Sequence, residues 1–98
     1  MLGPPLLIGD RVAHLGGDEP VLGSVRWLGQ LPDLFHHQMV AGLFLDEPQI
    51  LGTCNGSYAN RKLFHCHPNH GKFVPLFELV KEEVFFTMLA RKFLFILI

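Results

Sequence analysis

The 98-residue chain predicts an all-β domain, a small and strongly curved open barrel of five or six short strands. Apolar runs are short and separated by segments rich in Gly, Pro and Asn, with ten Gly and seven Pro in all. Side chains in several of these runs alternate with a period of two. Between Gln30 and Gln38, and again between Ala41 and Phe73, interruptions leave no room for a long helix.

Taken in order, residues 1–5 contain paired prolines, which resist both helix and ladder pairing, and predict a flexible lead-in. Leu6 to Leu15 reads as a first strand, with a turn at Gly9 and Asp10 before Arg11. Gly16 to Pro20 is a loop, and Val21 to Leu28 a second strand in which the period of two allows Val25 and Trp27 to share one face, with Trp27 open to either core or groove. Gln30 to Gln38 is a connection. Met39 to Leu45 is almost wholly apolar, which predicts a strand buried on both faces, closed by Asp46, Glu47 and Pro48. After an irregular Gly- and Asn-rich loop, Leu63 to His67 is the next strand, with Phe64 and Cys66 inward and Leu63, His65 and His67 outward. Pro68 to Gly71 is a tight turn, Lys72 to Leu76 a last short strand, and Phe77 to Lys81 docks across the barrel end.

Residues 6–82 therefore form the expected domain and residues 83–98 an apolar C-terminal tail of unassigned role. The tail, VFFTMLARKFLFILI from Val84, is shorter than the roughly 20 residues a membrane span needs and carries Arg91 and Lys92 in its middle. As a helix its apolar residues surround the cylinder instead of forming one stripe. Truncation or alternative splicing of a longer chain is one expectation for its origin.

Composition narrows the function. Charged residues make up only 17 % and the net charge is −1, so no clustered basic face is available for DNA, RNA or an anionic membrane. A surface this poor in charge suits burial against a partner. Two cysteines, Cys54 and Cys66, are too few for a stapled secreted domain, and the N-terminus has neither basic nor long apolar signal regions, so a reducing, intracellular compartment is expected.

The chemistry-bearing residues do not assemble into a reaction centre. His65 and His67 point opposite to Cys66 on a strand, so the His/Cys run does not converge on a tetrahedral metal, and no cofactor is expected. Cys54 on its loop is the sole candidate nucleophile and has no activating neighbour in the sequence. The Gly52–Gly56 loop lacks the Lys-Ser/Thr ending and following helix of a phosphate loop. No enzyme activity is expected.

Five ordered blocks carry a resemblance: IGDRV at Ile8 to Val12, GSVRWLG at Gly23 to Gly29, AGLFLDEP at Ala41 to Pro48, GTCNGS at Gly52 to Ser57, and LFHC with HGKFV ending at Val74. Here the chain resembles the CAP-Gly domain family, which implies a curved β fold and binding of the C-terminal tails of tubulin and microtubule plus-end proteins. It also implies a cytoplasmic, cytoskeleton-associated location and a ligand site at Gly52, Thr53, Cys54, Asn55, Gly56 and Phe73, with Val40 at the position of a groove tryptophan. The family hallmark is GKNDG, and Thr53, Cys54 and Asn55 occupy its three middle positions, so the charge pair with an acidic tail is missing. That degeneracy is similar to the CAP-Gly modules of the cylindromatosis tumour-suppressor deubiquitinase, as are Tyr58 and the FVPL ending. This second resemblance implies a regulatory or scaffolding module, without a catalytic domain, that binds a proline-rich adaptor or ubiquitin-pathway partner.

Overall fold

A computed structural model describes residues 5–97. The expected lead-in, apart from Pro5, lies outside them, as does Ile98. The architecture is a five-stranded antiparallel sheet in the order β6-β3-β2-β1-β7, with a separate two-stranded hairpin and one C-terminal helix. The strands are β1 (Arg11–His14), β2 (Val21–Gln30), β3 (Met39–Leu45), β4 (Ser57–Tyr58), β5 (Arg61–Lys62), β6 (Gly71–Pro75) and β7 (Leu79–Lys81), followed by α1 (Glu82–Leu97).

β3 is an interior strand, pairing with β2 on one side and β6 on the other. This explains its apolar run. Its Ala41, Leu43 and Leu45 face a core shared with Val12, Val25, Val74 and Leu79. Leu43, Leu45, Val12 and Val25 are the largest wholly buried side chains there, each stabilising the fold by about 1.5–3 kcal/mol through removal from water. Even-numbered Val40, Gly42 and Phe44 lie on the opposite face, which the functional surface uses.

Three sequence expectations change. The first strand begins at Arg11, because Leu7 to Asp10 form a turn in which Asp10 N donates to Leu7 O (3.0 Å) and Leu7 N to Asp10 Oδ2 (2.9 Å). Leu63 to His67 is irregular, although Phe64 is still buried and Cys66 half-buried as the alternation required. The pairing falls instead on β4 and β5, joined through Ala59 and Asn60, both at positive φ (50° and 63°), as a tight two-residue hairpin turn demands. Two residues per strand are too few to show any periodicity.

Arg11 ties the sheet to its surroundings. Its guanidinium donates to Ser24 Oγ (3.1 Å), to both oxygens of Asp46 and to Glu82 Oε2 (2.7 Å), linking β1, β2, the end of β3 and the start of α1. Those hydrogen bonds hold the Asp46 carboxyl below its usual range, chiefly through the direct contact with Arg11. A carboxylate with a depressed folded-state pKa contributes stability that is complete above the unfolded value of about 3.9 and is lost as pH falls through the lower folded value. Asp46→Asn should therefore remove part of the acid-side slope of stability, by no more than about 1 kcal/mol at neutral pH since the pair is over one-third exposed. Urea midpoints at low and neutral pH measure this; an unchanged pH slope would remove the pair from the acid response.

His14 is buried in the sheet, its Nε2 2.7 Å from Glu78 Oε1, an anchor between β1 and the turn before β7 that the sequence pattern did not suggest.

α1 carries Glu82 and Glu83 in its first turn, which suits the positive end of the helix dipole. It lies against β1 and β7, with Phe85 and Leu89, one turn apart, half-buried. Among the described residues, no helix is long and apolar enough to cross a membrane.

Candidate peptide groove

The surface is built across three strands in one row. Trp27 on β2 pairs with Gly42 on β3, which pairs with Phe73 on β6. Because Gly42 has no side chain, the Phe64 ring lies over it: a Cβ there would come within 2.5 Å of Phe64 Cε1 and 3.1 Å of Trp27 Cβ.

Trp27 reaches this row through a β-bulge. The register between β2 and β3 shifts between Val25 and Trp27, so Val25 opposes Leu43 on the core face while Trp27 opposes Gly42 on the other. Unbroken alternation would set Val25 and Trp27 on one face, and the bulge separates them. Phe73 is the hub of the resulting cluster, with edge-to-face contacts to Trp27 (centroids 5.9 Å apart), Phe64 (5.6 Å) and Tyr58 (6.0 Å). Phe73, Trp27 and Tyr58 are half-buried, so each keeps part of its surface in solvent.

The Gly52–Gly56 loop borders the cluster and is pinned to it. Cys54 and Gly71 exchange two backbone hydrogen bonds (2.8 and 2.9 Å), fastening the loop to the start of β6. Leu63 N donates to Gly56 O (2.9 Å), Gly56 N to Cys54 Sγ (3.4 Å), and the Thr53 hydroxyl turns back onto Gln49 O. Asn55 is exposed and its carbonyl accepts a hydrogen bond from Lys62 Nζ (3.0 Å). Lys62, a residue that sequence reasoning did not single out, thus brings a cation to the loop at Asn55. No local pattern would have found it, because its placement depends on the β4–β5 hairpin folding over the loop.

Of the residues expected at the site, the structure brings together Gly52, Thr53, Cys54, Asn55, Gly56 and, through Gly71, Phe73. Val40 is different. It shares the face of Gly42 but is wholly buried, and so lies beneath the surface with nothing presented to a ligand. Cys54 and Cys66 are both free thiols, and burial pushes the Cys66 thiol up from its ordinary value. Among the described residues, no group of three or more His, Cys, Asp or Glu is placed to hold a metal.

An aromatic patch beside a pinned backbone loop is the equipment of a module that binds other proteins, where exposed main chain and flat apolar rings meet an extended peptide. The model of the CAP-Gly domain family matches residues 8–79, and the chain belongs to that family. CAP-Gly domains are non-catalytic protein-interaction modules that in general bind cytoskeletal partners and protein C-terminal tails.

Proposed function

We propose that this chain, without turnover of its own, binds the C-terminal or otherwise extended segment of a cytoskeletal protein, tubulin or a microtubule plus-end protein. The segment lies in the groove between the Gly52–Gly56 loop and the Trp27–Phe73 row. The observation that carries this reading is the aromatic row with Gly42 at its centre, flanked by the anchored loop. Gly52, Thr53, Cys54, Asn55 and Gly56 would offer backbone and small side chains to the ligand's main chain, and Phe73 the apolar wall. Lys62, which donates to Asn55 O, would meet an acidic residue of the ligand. The reading places the protein in the cytoplasm, with the cytoskeleton.

A second reading is favoured by Thr53, whose hydroxyl is engaged by Gln49 and leaves the loop without a cation of its own. Proline-rich segments dock on aromatic-lined grooves without needing charge. The resemblance to the cylindromatosis enzyme's modules extends this reading to a regulatory or scaffolding role beside a deubiquitinase, with an adaptor or ubiquitin-pathway partner.

One titration tests both. Trp27 is the only tryptophan, so its fluorescence reports directly on the groove. An acidic, aromatic-ended peptide should change it saturably, and Thr53→Lys with Cys54→Asn should tighten that binding by roughly 10- to 150-fold through a charge-assisted contact. A proline-rich peptide that binds tightly, with no gain in the double variant, would favour the second reading. Silence from both peptides would sink the groove.

A further inference from the structure

We infer that α1 is a self-association surface on which two copies of this chain pair antiparallel. Phe85 and Leu89 of the helix are half-buried, and the side turned away from them is exposed. On that outer side Val84, Thr87, Met88 and Arg91 follow one another at the spacings of a single helical face, and with Glu83 they line a shallow open hollow. Val84 is 46 % and Met88 50 % exposed, an apolar surface on a domain that has few charges to dilute it.

The charges on this face specify the occupant. Glu83 lies near one end and Arg91 near the other, and among the described residues neither has an ion-pair partner. Place a two-fold axis between Thr87 and Met88. At the α-helical rise Glu83 is then about 7 Å to one side of the axis and Arg91 about 5 Å to the other, so an antiparallel second copy sets each Glu83 beside the other copy's Arg91, twice over. Val84 and Met88 are covered in the same step, and the helix dipoles oppose. A parallel copy would set like charges together. The contact is isologous and closes at two chains, so it does not propagate. A lipid surface fits less well, because Arg91 and Glu83 stand on the face that would have to enter it.

Sedimentation of the full chain decides. At roughly 100 µM, above the weak affinity expected of an interface at the small end of the range, the mass should be twice the 11.1 kDa of one chain. Glu83→Arg alone and Arg91→Glu alone each turn both contacts into repulsions and should weaken the dimer by at least about tenfold. Mixed in equal amounts, the two variants should recover it, since every contact then joins opposite charges. Both residues are on the surface, and circular dichroism should match the wild type. The proposal is overturned by a monomeric wild type, by single variants that dimerise as well as wild type, by a mixture that stays monomeric, by larger aggregates indifferent to the substitutions, or by a monomer that instead sediments with phosphatidylserine vesicles.

Discussion

Gly56→Ala should destabilise the domain by about 3 to 5 kcal/mol, whereas Gly52→Ala, four residues earlier in the same loop, should cost only about 1 kcal/mol. Both glycines have positive φ, +94° at Gly56 and +72° at Gly52, so either alanine meets the same left-handed penalty. Space separates them. A Cβ at Gly52 meets nothing within 4 Å, while at Gly56 it would stand 2.0 Å from the backbone carbonyl oxygen of Phe64, which cannot rotate aside. Relief would require breaking the hydrogen bonds that Leu63 and Phe64 N donate to Gly56 O, and with them the anchor of the loop on the aromatic cluster. Urea unfolding of the two variants, followed by Trp27 fluorescence, gives the comparison. Costs within 1 kcal/mol of each other would mean that the loop adjusts freely and is not pinned as described.

Phe73→Ala should damage both stability and recognition. The ring makes three edge-to-face contacts, each worth about 0.5–1.5 kcal/mol beyond its area. Full Phe burial costs about 3–5 kcal/mol to remove, and Phe73 is only half-buried, so a loss of about 2–3 kcal/mol in folding is expected. Any groove ligand should bind at least about tenfold more weakly once this wall is gone. Because the two losses are coupled through folding, affinity is to be measured at a temperature where the variant remains folded. A folded Phe73→Ala protein that binds an acidic or a proline-rich peptide as tightly as wild type would place the ligand elsewhere.

Much of the fold was legible in the chain. β3 was readable from Met39 to Leu45 because a strand flanked on both sides and covered on both faces must be apolar throughout. The turn at Gly9 and Asp10, the break after Leu45 and the turn before Gly71 were readable because Gly, Pro and Asn act through their own backbones, independently of what lies far away in sequence. The five ordered blocks were enough to indicate the family, and the family model matches over much the same span.

The sequence by itself determined the β class, the interior strand β3 and the irregular Gly- and Asn-rich loop after it, all of which depend on residues adjacent in the chain. Tertiary structure decided the rest. Whether Trp27 faces the core or the groove depends on a bulge that forms only when β2 meets Gly42 of β3, and the period of two cannot report a register set by another strand. Val40 is buried for the same kind of reason, since alternation assigns a face without saying what covers it. Lys62 reaches Asn55 only because a two-residue hairpin turns the chain back over the loop. The apolar tail is a helix that meets β1 and β7 with Phe85 and Leu89 half-buried, a placement set by strands that the sheet brings together and that no local pattern records.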